Sequence, residues 1–189
     1  NESFAEYMSH LAAVENTRFD HAWTTFASVE KSWAYRQDQL PTTHPIFAEI
    51  NNVPYMPREE ILRRAQYFRE IGADVIDLGC SLDLKFEDAA PVVGLLKTQG
   101  FVVSIDTFYK AEILAADRAG VDYVLSVNGA NLDIAEALHC PVVVIPDSGE
   151  GLDTLDRNIA HLERIGRPYI VDPVIDPIIV GFAASLDRY

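Results

Sequence analysis

Cysteine, methionine and tryptophan are scarce in this 189-residue chain, with two of each, and positive charge is outnumbered, 15 Lys and Arg against 29 Asp and Glu. Each shortage excludes something. Two thiols, Cys80 and Cys140, make neither a disulfide framework nor a metal knuckle. Both read as reduced packing residues, as expected of a cytoplasmic protein. The histidines (His10, His21, His44, His139 and His161) show no HExxH and no paired spacing, so zinc is not supported. A net charge of −14 argues against nucleic acid, whose phosphates need clustered Lys and Arg, and otherwise serves solubility. No apolar run approaches the roughly 20 residues of a membrane helix. The opening NESFAEYMSH has neither the basic nor the apolar region of a secretory signal. Without an initiator Met the chain reads as a fragment, and a removed presequence stays open.

What is present is an ordinary globular composition, 49% hydrophobic and 23% charged, long enough for one domain with a full core. Residues 1–44 stand apart. SFAEYMSHLAAVEN and HAWTTFASVEKSWAYRQDQL carry apolar residues at helical spacing, and PTTHP then breaks the pattern. An N-terminal helical segment of unassigned role is expected there, with a second domain over 45–189.

From Ile46 onward strands and helices alternate. Strands are expected at about 46–50, 74–78, 101–105, 122–127, 141–145 and 168–171. Helices are expected at 58–71, 86–98, 109–118, 131–138 and 152–165, and GFAASLDRY reads as the start of another. Short, β-branched, almost wholly apolar strands suit a parallel sheet covered on both faces. Six βα units leave an α/β (β/α)₈ TIM-type barrel or an open doubly wound sheet. The absence of GxGxxG after the first strand weakens the sheet, and polar residues at nearly every strand end favour the barrel. That barrel is incomplete, since such folds use about 250 residues, and a six-stranded one exposes two edges and an apolar lumen.

The strand ends carry the chemistry. FAEINN, DVIDLG, VVSIDT and YIVDP each close on a carboxylate or amide, and DYVLSVNG closes on Ser126 and Asn128. On one barrel rim Asn51, Asp77, Asp106, Asn128 and Asp172 converge on a single pocket. Each has a blander reading. Asp106 can cap the next helix, and Asp172 can serve the turn at Pro173. Asp77 can be a buried carboxylate held by loop N–H groups. Asn51, Asn52 and the Asn128–Gly129 pair can be turn residues. Glu49 faces either the lumen near Asn51 or an ion pair. Asp147, in IPDSGEG, lacks the Lys of a P-loop and reads as a loop residue. Arg63 and Arg64 read as a solvated helix face.

GADVIDLG, VVSIDTF, AGVDYVLSVNG and YIVDP, in that order and at βα spacing, resemble the pterin-binding barrels: dihydropteroate synthases and methyltetrahydrofolate-type corrinoid methyltransferases. The likeness covers roughly 46–189. It implies that Asp106 and Asp172 line a pterin pocket, with Asn128 as the amide, although an ungapped alignment places Leu125 there. It further implies that Asp77 is the second-strand aspartate and Asn51, or else Asn52, the asparagine near Mg²⁺ and diphosphate. The chemistry agrees. A pterin presents an amino group beside a ring N–H, which a carboxylate accepts in a bidentate pair, while an amide serves the ring acceptors.

The departures are equally specific. Thr-Pro-Asp-Ser-Phe and Ser-Thr-Arg-Pro-Gly, which follow the first two strands of folate-pathway synthases, are replaced by NVPYMP and CSLDLKFED, and the Lys and Arg of strands seven and eight fall outside the sequence. The resemblance therefore implies a divergent transferase, of the methanopterin-pathway sort, joining a pterin methylene to an arylamine with loss of diphosphate. Asp77 and Asp106 would be its catalytic residues and Asn51 its Mg²⁺ ligand. A pterin-dependent methyltransferase module working with a corrinoid protein, and a non-catalytic barrel binding domain, are the alternatives. Barrels of this kind also pair through outer helices, which allows a homodimer.

Overall fold

The computed structural model describes residues 45–147 and 152–174. The chain divides into two units, Asn1–Pro45 and Ile46–Tyr189. The expected N-terminal helices, the SGEG loop and the helix at GFAASLDRY lie outside the described residues.

The second unit is a run of βα pairs. Its elements are β1 (Phe47–Ile50), α1 (Arg58–Glu70), β2 (Val75–Gly79), α2 (Ala89–Thr98), β3 (Val102–Asp106), α3 (Lys110–Arg118), β4 (Tyr123–Val127), β5 (Val142–Val144), α4 (Leu152–Ile165) and β6 (Tyr169–Val171). All neighbouring strands pair in parallel, in chain order β1-β2-β3-β4-β5-β6. Sequential parallel order is what repeated right-handed βα crossovers produce, and it is the wall of a barrel.

One expectation needs correction. Between β4 and β5 the helix expected at 131–138 is a 3₁₀ segment, Leu132–Ala137. The Asn131 side chain turns back to accept the Asn128 N–H at 2.8 Å, and Pro141 closes the segment, so there is no room for a second α-turn.

The helix-to-strand corners share one device. Gly72, Gly100, Gly120 and Gly166 hold φ of 103°, 77°, 87° and 68°, each just past a helix. At each corner the residue after glycine donates to the carbonyl five positions back: Ala73 to Phe68, Phe101 to Leu96, Val121 to Ala116 and Arg167 to Leu162. These are Schellman caps, which need the left-handed conformation that glycine adopts without strain. Two corners add an aspartate. Asp74 and Asp122 accept the Ile46 and Val103 N–H groups at 2.8 and 2.7 Å, locking each corner to the preceding strand.

Alternation divides the sheet. Ile76, Leu78, Val103, Ile105 and Val124 face the helices and are buried against Ile61, Val92, Leu96, Ile113 and Ala116. On the lumen face the register aligns Phe47, Val75 and Val102 at the base, then Glu49, Asp77, Ser104 and Tyr123, then Gly79, Asp106 and Leu125 at the rim. Phe47 and Tyr123 meet edge to face, 5.5 Å between centroids. Among the described residues β1 and β6 each have one strand neighbour, and Val102, Ile170 and Val171 are exposed. No helix of the described residues is long and apolar enough to cross a membrane.

Candidate active site

The lumen layers climb from apolar to acidic. Asp77, 4% exposed, accepts the Ser104 hydroxyl from the adjacent strand at 2.6 Å. Burial pushes its pKa up to about 7; the Ser104 bond opposes that rise, and the Asp106 and Glu49 charges add to it. Two residues higher on the next strand, burial also raises the Asp106 carboxyl, against the pull of a Ser126 hydroxyl. Glu49 on β1 is raised by burial and by the Asp106 charge.

Ser126 reaches Asp106 because β4 bulges. Val124 pairs with Val142 and Val127 with Val144, three residues of β4 against two of β5, and Ser126 takes φ 57°. A bulge of this kind re-aims side chains at a barrel rim. It also shifts register between Leu125, which lies beside Asp106, and Asn128.

A cavity of about 90 Å³ opens over these residues, lined by Glu49, Asp106 and Thr107 with Gly79, Cys80, Ser81, Leu82 and Phe108. A second space of about 480 Å³ continues from Leu82 and Phe108 to Asn128, Ala130 and Asp147. Neither is lined by a basic residue. Leu82 and Phe108 display apolar surface to both, 73% and 45% exposed. Burial drives the Cys80 thiol pKa well up, which makes it an inert wall.

The predicted residues therefore separate. Asp106 and Asn128 reach the two adjoining cavities, and Asp77 lies in the layer beneath. Asn128 is buried, and its Oδ1 accepts the Ala130 N–H at 3.0 Å, so it serves a turn as well. Asp172 follows β6, where its N–H donates to Val144 and its Oδ1 accepts the Val174 N–H at 2.8 Å. Asn51 is exposed in the turn after β1, and Asn52 adopts φ 61° there. Neither Asp172 nor Asn51 lines these two cavities. Glu49 takes the lumen position, with no ion pair among the described residues. Asp147 behaves as a loop clasp, accepting from Gly129 N, Arg157 Nη2 and Asn158 Nδ2 at 2.7, 2.7 and 3.0 Å.

Sequence reasoning missed Glu112. It is buried on α3 and accepts the Phe86 N–H and the Thr107 hydroxyl, both at 2.6 Å, which binds the loops after β2 and β3 together beneath the cavity. Thr107 and Glu112 are five residues apart and do not form a capping box, so the sequence carried no clear signal for this pair.

An incomplete parallel barrel with carboxylates at successive strand ends has solved counterparts. Dihydropteroate synthase of Burkholderia cenocepacia, complexed with 7,8-dihydropteroate, superimposes with a TM-score of 0.61 at 23% identity, over 78% of this chain and 65% of that one. The chain has the dihydropteroate synthase fold. The Vibrio fischeri 7,8-dihydropteroate synthase gives a TM-score of 0.62 at 17% identity, over 76% and 68%. In sequence, an uncharacterised protein of Methanocaldococcus jannaschii is 30% identical over 152 residues, 70% of this chain and 29% of that protein. Aminopeptidase N of Streptomyces lividans is 54% identical over 55 residues, 28% of this chain and 6% of that enzyme. No family model matches the chain. The chain thus spans about two thirds of the Burkholderia synthase and much less of either curated relative.

Proposed function

We propose that the barrel binds a pterin in its acidic rim and joins the pterin methylene to an arylamine, as a dihydropteroate synthase-type transferase. The observation that carries this reading is Asp106, held by the Ser126 hydroxyl in a cavity without a basic residue and beside the apolar Phe108 and Leu82. A carboxylate so placed needs a ligand that brings its own donors, as the amino and ring N–H edge of a pterin does. The flat apolar surface of Phe108 suits the ring face. The Asn128 side-chain amide, at the edge of the second cavity, can serve a ring acceptor, and Asp172, just past β6, lies outside the two cavities. In the reaction the methylene–oxygen bond breaks, diphosphate leaves with the electron pair, and the arylamine nitrogen forms the new bond and sheds its proton. Asp77, beneath Asp106, favours positive charge developing on the ring when ionised, a form that burial confines to pH values above about 7.

The described residues do not build a resident Mg²⁺ site. Asn51 offers one amide oxygen, and no three His, Cys, Asp or Glu side chains converge as metal ligands. Mg²⁺ enters this reading only with the diphosphate, as part of the substrate, with Asn51 as a rim contact.

The test is calorimetric titration of a 6-hydroxymethyl pterin, with and without Mg²⁺-diphosphate, against the wild type and Asp106→Ala. Micromolar binding is expected, weakened roughly 30- to 100-fold in the variant as a charge-assisted pair is lost, and strengthened by diphosphate. Binding indifferent to diphosphate moves the reading to methyl transfer with a corrinoid partner. No binding by the folded protein overturns it.

A further inference from the structure

We propose that Glu49 is a specificity-determining residue that admits reduced pterins and rejects fully oxidised ones; this rests on the pterin reading above. Glu49 is an addition to the residues that resemblance marked, and its place is built. It stands on the lumen face of β1 opposite Asp77 and lies across β2, over Gly79. A Cβ at position 79 would meet the Glu49 carboxylate, so glycine there leaves the room in which Glu49 lies across β2 beside Asp106. The two acids line one cavity of about 90 Å³.

Their partners differ. Asp77 holds the Ser104 hydroxyl and Asp106 the Ser126 hydroxyl, whereas Glu49 has no hydrogen bond or ion pair among the described residues. The cavity wall offers it no cation. A ligand that seats its amino edge on Asp106 therefore meets a second acceptor with free lone pairs. An oxidised pterin has only lone-pair nitrogens in its pyrazine ring, and a lone pair against a carboxylate is repulsive. A 7,8-dihydro or tetrahydro ring carries a saturated N–H that donates to it. A site built to bond a substrate N–H rejects the analogue that lacks it, because its own polar group is left unpaired.

The experiment titrates 6-hydroxymethyl-7,8-dihydropterin and its oxidised counterpart into the full chain as wild type, Glu49→Gln and Glu49→Ala, with circular dichroism confirming the fold of each. The wild type is expected to prefer the reduced ring by roughly 10-fold or more. Glu49→Gln, whose amide can donate to the oxidised ring, is expected to bring that preference within roughly threefold. Glu49→Ala is expected to lose affinity for the reduced ring and, with the lone-pair repulsion gone, to bind the oxidised one more tightly than the wild type does. If both pterins bind but their ratio is unchanged in Glu49→Gln, the role of Glu49 is overturned and the pterin reading stands. If neither pterin binds the folded wild type, the pterin reading falls and this inference falls with it.

Discussion

At the scale of single residues, Asp77 makes the most definite physical demand. It lies near Glu49 and Asp106 on the lumen side, and among the described residues it accepts a hydrogen bond from Ser104. Its pKa rises from the ordinary 3.8 to about 7 on folding. The folded state therefore keeps a proton that the unfolded state has released, and the contribution of Asp77 to stability is greatest below about pH 4 and falls as pH climbs toward 7. Asn in its place keeps an acceptor for Ser104 and never ionises. Asp77→Asn is expected to match the wild type near pH 4 and to exceed it by up to about 4 kcal/mol near pH 8. Urea denaturation at the two pH values measures this, and an equal difference at both would refute it. Asp77 and Asp106 were legible because a carboxylate closing an apolar strand stands out in the sequence. Ser126 and Glu112 were not, since one depends on a bulge and the other on a bond between two loops.

At the scale of elements, the strands and α-helices were legible to within a few residues, because each described α-helix ends in a glycine and most strands are short apolar runs rich in Val and Ile. The segment at 132–137 was not, because its apolar spacing is helical and the Asn131 side chain, folding back on Asn128, together with Pro141 beyond, diverts it. The glycines allow a sharper test. A Cβ at either Gly94 or Gly100 would meet nothing within 4 Å, so packing cannot tell them apart. Gly94 lies inside α2, where alanine limits the unfolded chain and favours the helix; Gly100 holds φ 77°, which alanine adopts only with strain. Gly94→Ala is expected to stabilise by about 0.5–1 kcal/mol and Gly100→Ala to destabilise by about 1–2 kcal/mol. Thermal melts of the two variants give the signs, and a common sign would mean that backbone conformation does not govern this corner.

For the whole molecule, on the pterin reading proposed above, charge would govern how a ligand approaches. The chain carries −14, its rim cavities hold Glu49, Asp106 and Asp147, and neither cavity has a basic lining. Lys110, at the start of α3, is paired with Asp133, and Arg157 with Asp147, each at 2.7 Å. A neutral pterin feels little of this field, whereas its diphosphate ester is repelled, and salt relieves the repulsion because the Debye length shrinks from about 30 Å at 0.01 M to about 8 Å at 0.15 M. Without Mg²⁺, the diphosphate ester is therefore expected to bind several-fold tighter at the higher salt, while 6-hydroxymethyl pterin binds equally at both. With Mg²⁺ the salt dependence should shrink, since the ion cancels ligand charge before the two meet. Calorimetry at the two ionic strengths separates these cases. Weaker binding of the ester as salt rises would mean that basic side chains from outside the described residues reach the rim, and the acidic lumen would then govern ring recognition alone.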